Sequence, residues 1–391
     1  MIEDMSVLTF PNSKFANTYG LVCFSHLRWN FVFQRPQHLL SRFATQRAVL
    51  FIEEPIYRDG PSEFVVTETK EGVRVAVPHL AHGLERDAEE KLLGKLVEEL
   101  IEGQSFEDYV CWYYTPMMLG WTEHLRPVAT VYDCMDELSA FKNAPPELQT
   151  REAELFGLAD LVFTGGRSLY EVKREQHDSV YCFPSSIDVK HFARAMEITG
   201  EPDDQKNIQR PRIGFFGVID ERTDIDLLRQ LAELRPDWHF VMIGPVVKIN
   251  EDDLPRHANI HYLGGKSYDE LPDYIAGWDV AMMPFAMNDS TKFISPTKTP
   301  EYLAAGRPVV STPVRDVVRP YGESGLVRIA SDAKEFEEAI EKSLTEDADA
   351  RRAKADELLA TMSWDKTQQA MSELIDEAIQ KNKAVLAKAA V

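Results

Sequence analysis

Ser295-Pro-Thr-Lys298-Thr-Pro300-Glu301-Tyr-Leu-Ala-Ala-Gly306-Arg-Pro308-Val-Val310 packs a helix start, a helix stop and a strand entry into one short stretch. Thr299 suits the N-cap and Pro300 the first helical position. Gly306 ends the helix, and Pro308 leads into an apolar strand. A short helix running directly into a strand is the repeating unit of an α/β chain. A helix start offers unpaired N–H groups and a positive dipole end, which suit a phosphate. Lys298 adds a point charge for a diphosphate, and Glu301 can accept hydrogen bonds from a ribose diol. That combination is nucleotide-sugar chemistry. The same residues also read as a plain cap, with Lys298 and Glu301 a solvated pair worth a few tenths of a kcal/mol. On this stretch alone both readings stand.

Outward from it, strand-like apolar runs alternate with helix-period segments along the chain. Strands are predicted over 19–25, 49–53, 109–112, 129–133 and 161–164, with a small hairpin at 64–66 and 73–77. Helices are predicted over 37–44, 88–101, 146–158 and 168–176. The polar run Gly200-Glu-Pro-Asp-Asp-Gln-Lys-Asn207 lacks apolar periodicity and reads as a linker. The alternation restarts with strands over 212–216, 239–243, 260–263, 280–284 and 308–311. Helices over 224–234, 268–276 and 301–305 intervene, and the chain past 332 is helical. The expectation is two doubly wound halves whose strands end at a shared cleft, the default ligand site of such folds.

At 391 residues the chain exceeds the size of one core, which predicts two domains. The boundaries expected are 1–199, a linker at 200–210, and 211–363. A hydrophobic fraction of 44% and a charged fraction of 27% match a globular protein. The net charge of −21 argues against nucleic acid and against broad adsorption to an anionic membrane. Residues 1–12 carry Glu3 and Asp4 without an apolar core and do not read as a signal peptide. No run is long enough to span a membrane, so a cytoplasmic protein is expected. Cys23, Cys111, Cys134 and Cys182 lack metal spacing and read as buried thiols.

Sugar transfer from a nucleoside diphosphate needs charge or N–H donors for the leaving group, a base for the acceptor hydroxyl and a hold on the nucleoside. Gly214-Phe-Phe-Gly217-Val-Ile-Asp-Glu-Arg222 runs from strand to turn. Gly217 permits close backbone approach to a ligand, and Arg222 joins Lys298 beside a diphosphate. Both also read structurally, as a tight turn and a surface ion pair. Gly244 in Ile243-Gly244-Pro245, and Tyr262 before Gly264-Gly265, stand at strand ends that could admit a base or ribose, or be ordinary turns. Thr297 lies at the helix start. In the first half, the loop from Phe24 to His38 gathers His26, Trp29, Phe33 and Arg35, with Pro36 opening a helix. Val131-Tyr-Asp133-Cys-Met-Asp136-Glu137 sets two carboxylates past a strand. Either could take an acceptor proton, or hydrogen-bond and cap locally. His79 and His82 are too few for a metal site, and none is expected.

Taken together, these segments resemble the GT-B glycosyltransferases, in particular bacterial group 1 (family 4-like) enzymes of surface-polysaccharide assembly. The resemblance rests on residues 29–40, 131–137, 183–192, 214–222 and 295–306, and covers nearly the whole chain. It implies two Rossmann-like domains facing a central cleft, the donor in the second and the acceptor in the first. It implies ribose binding by Glu301 and diphosphate contacts from Arg222 and Lys298. It also implies a last helix, from Trp364 to about 383, crossing back to complete the first domain, here residues 364–391. One departure stands out: the family often has a glutamate eight positions before the ribose-binding one, and here that residue is Phe293. Asn288 and Asp289 are the nearby substitutes. The surroundings of Asp133 are similar to inverting glucuronosyltransferases that use an aspartate base.

The expectation is therefore a metal-independent, cofactor-free glycosyltransferase. It would use a UDP-sugar and a polysaccharide or lipid-linked acceptor, at most peripherally at the membrane's inner face. Asp133 and Lys298 are the expected catalytic residues. Gly217, Arg222, Gly244, Tyr262, Thr297, Lys298 and Glu301 are expected on the donor side, and His26, Arg35 and Asp136 on the acceptor side. A sugar-nucleotide 2-epimerase of the same fold and a non-catalytic GT-B-like partner are the alternatives. No Gly-x-Gly-x-x-Gly follows the first strand, which disfavours a dinucleotide oxidoreductase.

Overall fold

The structure, a computed structural model, describes residues 19–104 and 106–389. The reading of residues 1–12, and the ends of the ranges 1–199 and 364–391, lie outside these residues.

The first sheet contains β1 (Gly20–Ser25), β2 (Val49–Glu53), β3 (Ile56–Tyr57), β4 (Glu63–Glu68), β5 (Arg74–Leu80), β6 (Tyr109–Tyr113), β7 (Ala129–Cys134), β8 (Leu161–Thr164) and β9 (Val180–Cys182). Their order is β3-β5-β2-β1-β6-β7-β8-β9, with β4 antiparallel on β5. The second contains β10 (Arg212–Phe216), β11 (His239–Ile243), β12 (Ile260–Tyr262), β13 (Val280–Met283), β14 (Val309–Ser311) and β15 (Val327–Ile329). It is wholly parallel, in the order β12-β11-β10-β13-β14-β15. Both orders reverse beside their first strand, between β1 and β6 and between β10 and β13. Such reversals splay the loops at the carboxyl ends apart and leave a crevice.

The central strands are unbroken apolar runs such as Gly20-Leu-Val-Cys-Phe-Ser25, buried at every position. Parallel strands are covered on both faces and do not alternate. The covering helices carry one apolar stripe each. Ile225–Leu234 buries Leu227, Leu228 and Leu231 and is capped by Asp224, whose carboxylate accepts from Leu227 N at 2.8 Å. The predicted hairpin is present, longer than its apolar residues indicated. Strands β3, β9 and β15 are too short to give a periodic signal, and the sequence reading missed them.

Helix Trp364–Ala389 packs on the first sheet. Trp364, Met371, Ile375 and Ile379 join the cluster that holds Leu39, Phe43 and Trp112. Burial of each large apolar side chain contributes roughly 1.5–3 kcal/mol, enough to fix the end of the chain across the first half. Ile187, Phe192 and Ala195, by contrast, belong to the second half's core. The chain therefore crosses between halves before residue 187, earlier than the polar run at 200–207. That run is not a free tether. Gln205 is fully buried, donating to Tyr274 O and accepting from Trp278 Nε1, both at 2.9 Å.

The helix in the opening stretch also starts earlier than expected, at Lys298–Ala304. Thr297 takes the N-cap position with helical dihedrals and makes no side-chain cap bond. Thr299 is buried inside the helix, its hydroxyl 3.5 Å from Met283 Sδ. The N-cap reading of Thr299 is thereby corrected: its hydroxyl donates a weak hydrogen bond to the Met283 thioether of β13, away from an exposed helix start.

Candidate active site

Between the halves lies a cleft of about 970 Å³, at the upper end of the range for small-molecule sites. Its first wall comes from the loop after β1, the hairpin turn of β4 and β5, and the loop after β7. The second comes from the turns after β10, β11 and β12 and the segment from Ile294 to Glu301. Direct contacts tie the halves together at its edges. Ser185 Oγ donates to Ser295 O at 2.7 Å, Ser168 N donates to Asp316 Oδ1 at 3.0 Å, and Arg315 pairs with Glu171.

Of the expected site residues, Arg35, Asp136, Gly217, Arg222, Gly244, Thr297, Lys298 and Glu301 all line this cleft. Glu301 is only 4% exposed, yet its Oε2 has no partner among the described residues. Burial raises its pKa, opposed by the Lys298 charge and the Thr297 side chain. Burial lowers the pKa of Lys298, and Glu301 opposes that shift. The Lys298 ammonium sits about 6 Å from the ring centres of Phe215 and Phe216. Arg222 is gripped by Asp220, at 3.0 Å to Oδ1 and 2.7 Å to Oδ2. Its guanidinium also lies over the Phe141 ring of the first half, at 5.5 Å.

Gly217 and Gly244 are glycine for a reason the sequence did not reveal. Both have positive φ, +140° and +143°. A Cβ on Gly217 would lie 2.2 Å from Lys298 Cε, and one on Gly244 would lie 1.9 Å from Gly217 O. The space at Gly217 is thus taken by the Lys298 side chain. The two glycines let the ammonium cross the floor of the cleft.

Three expected residues are not in the cleft. Asp133 is fully buried and bound at both oxygens by Arg35, whose Nε lies 3.1 and 3.0 Å away and whose Nη2 lies 2.8 Å from Oδ1. Arg35 Nη1 also donates to Phe183 O at 2.8 Å. Asp133 has no face open to an acceptor and does not qualify as a base. Tyr262 turns away on β12, its hydroxyl on Pro255 O at 3.3 Å and its ring under Arg256. His26 faces Tyr114, and burial pushes its pKa down to about 4. Phe293 also points out of the cleft and packs against the first half's core, with Lys292 over its ring. Asn288 and Asp289 belong to an adjoining turn, Asn288 donating to Glu221 O.

Asp136 is the carboxylate that does open on the cleft. Burial pushes its pKa up to about 6, with Arg222 the strongest opposing charge, followed by Arg35. Sequence reasoning also missed Tyr268, Asp188 and the hairpin turn from Thr67 to Glu71, all of which line the cleft. The turn Gly264-Gly265-Lys266, one residue before Tyr268, was the only local hint of it. Among the described residues no group of three or more His, Cys, Asp or Glu is placed to hold a metal ion. No helix among them is long and apolar enough to cross a membrane.

Residues 210–346 match the family described as Glycosyl transferases group 1. The "Putative teichuronic acid biosynthesis glycosyltransferase TuaH" of Bacillus subtilis (strain 168) is 25% identical over 247 residues, 56% of this chain and 59% of the relative. Sucrose-phosphate synthase from Thermosynechococcus elongatus superposes with a TM-score of 0.69 at 14% identity, covering 93% of this chain and all of that one. HepE from Anabaena, solved in complex with UDP, gives 0.64 at 13% identity, covering 92% of this chain and all of that one. The expected fold is borne out: the chain has the two-sheet GT-B architecture, and residues 210–346 are similar to group 1 glycosyl transferases.

Proposed function

We propose that the protein transfers a sugar from a UDP-sugar to a hydroxyl of a saccharide or lipid-linked acceptor. The observation that carries this reading is the carboxylate oxygen of Glu301, buried without a partner among the described residues beside the half-buried Lys298, in a cleft at the strand-order reversal of a domain similar to group 1 glycosyl transferases. A buried acceptor without a partner is costly, and a ribose hydroxyl would satisfy it. The UDP complex of HepE, a protein of this fold, supports the choice of nucleotide. The name of TuaH supports a biosynthetic role.

In this reading Glu301 holds the ribose and Lys298 and Arg222 face the diphosphate. The acceptor oxygen attacks the anomeric carbon. The bond to the diphosphate oxygen breaks, and its electron pair leaves with UDP. Asp136 takes the acceptor proton, in place of Asp133, and attack from its side of the cleft inverts the anomeric centre. The two cations meet the charge that grows on the leaving oxygen, so the transfer proceeds without a metal. The loop after β1 and the hairpin turn hold the acceptor. The protein works in the cytoplasm, at most touching the inner face of the membrane.

The test is to incubate the protein with UDP-sugars and saccharide or lipid-linked acceptors, with and without chelator, and to follow UDP release and products by mass spectrometry. Transfer that survives chelation and gives the inverted anomer is expected. Turnover of the donor to an epimer, with no acceptor needed, would replace this reading with the 2-epimerase.

A further inference from the structure

Tyr268 lines the cleft, and its hydroxyl is the second polar atom there that is buried without a partner among the described residues. The first is Glu301 Oε2. A phenol can donate and accept, whereas a carboxylate only accepts. Two orphans of these kinds in one cavity call for a ligand that offers hydroxyls or oxygens to both. The Tyr268 phenol is pushed up, chiefly by burial and next by the Glu301 charge, so it stays protonated and able to donate.

The ring of Tyr268 reaches across the cleft. It stacks with Phe33 of the first half at 4.5 Å and 26°, and with His191 at 4.1 Å and 9°. Two stacked rings cannot share one face, so Tyr268 lies between them. His191 Nε2 lies 2.9 Å from Tyr268 O, which holds that face. On the other, Phe33 meets the edge of His38, and His38 stacks on Trp364. Phe33 stays 38% exposed and lines the first wall beside Phe31, which is 50% exposed.

We propose that the Tyr268 hydroxyl binds the nucleotide, and that its ring passes the presence of the nucleotide to the loop around Phe33 on the acceptor wall. This rests on the reading of the cleft as a UDP-sugar site. The ring is held between Phe33 and His191, which leaves the hydroxyl to a ligand. With nucleotide bound the hydroxyl is fixed, so the stack orders Phe33 and with it the loop that would meet the acceptor. An aromatic pair of this kind shifts an equilibrium by up to about tenfold.

The experiment uses the full chain and UDP as probe, combining calorimetric titration with hydrogen exchange of residues 29–34. Tyr268→Phe, which keeps the ring, should weaken UDP binding about tenfold. Phe33→Ala should change UDP affinity by no more than the coupling itself, about tenfold, and lose the protection that UDP confers on residues 29–34. Phe33→Leu serves as a second variant that keeps the apolar volume. If Tyr268→Phe binds UDP as tightly as wild type, the hydroxyl has no such role. If UDP protects residues 29–34 equally in both Phe33 variants and wild type, the coupling is wrong. If wild type itself does not bind UDP, the donor reading fails along with this one.

Discussion

Each half of the molecule keeps a cation and a carboxylate beside the cleft, Lys298 half-buried and the other three buried, and the two sets differ in what they leave unpaired. In the first half, Arg35 and Asp133 use each other fully, and Phe183 O takes another donor of Arg35. In the second half, Glu301 keeps one buried oxygen without a partner among the described residues, beside Lys298. A satisfied buried pair needs nothing from outside. An unsatisfied one is retained at a cost in stability, which a ligand can offset. Burial of charge alone therefore does not mark a functional residue; a missing partner inside the cleft is what sets Glu301 apart.

The sharpest way to break this comparison is through Asp136, the first-half carboxylate that opens on the cleft. Asp136→Asn should cut transfer by roughly 10²–10⁴-fold, the range for loss of a general base, and leave UDP affinity unchanged. The wild-type rate should fall as pH drops through about 6, because the base must be ionised and its pKa is pushed up to there. In the variant that limb should vanish. A rate profile flat through this pH in wild type would remove Asp136 from the role.

Next in size is the satisfied pair. Asp133→Asn leaves the Arg35 charge buried without compensation, which should cost roughly 3–5 kcal/mol of stability. The urea midpoint should drop, while the UDP dissociation constant of the folded variant stays the same. A large loss of UDP affinity at unchanged midpoint would reverse the assignment of the two halves. Gly244→Ala should have a smaller effect. Its Cβ would collide with Gly217 O at a positive φ, with strain on the order of 1–3 kcal/mol. Because Gly217 underlies Lys298, UDP should bind more weakly as well. Smallest is Tyr262→Phe, which removes a peripheral hydrogen bond to Pro255. It should change stability by no more than about 1 kcal/mol and leave UDP titrations unaltered.

Much of this fold was legible because its signals are local. β2, β8, β10 and β11 coincide with their predicted ranges, since a buried parallel strand is an apolar run bounded by turns. Lys298 and Glu301 were also legible, as neighbours on one turn of one helix. The errors arose where distant residues decide. Asp133 and Asp136 lie three apart in sequence, and only Arg35, 98 residues from Asp133, determines which one is sealed. The glycine at 217 suggested room for a ligand, but that room belongs to a lysine far along the chain. Tyr268 carried no signal of its own, because its cross-cleft partners Phe33 and His38 come from the first half.

The central claim is that the unpaired carboxylate oxygen of Glu301 marks the nucleotide site, and titration of UDP into wild type and Glu301→Gln tests it most directly. Replacing the carboxylate weakens a hydrogen bond to a charged group worth about 1.5–3 kcal/mol. UDP affinity should therefore fall by roughly one to two orders of magnitude, with the urea midpoint unchanged or higher. Equal UDP affinity in the two proteins would contradict the account.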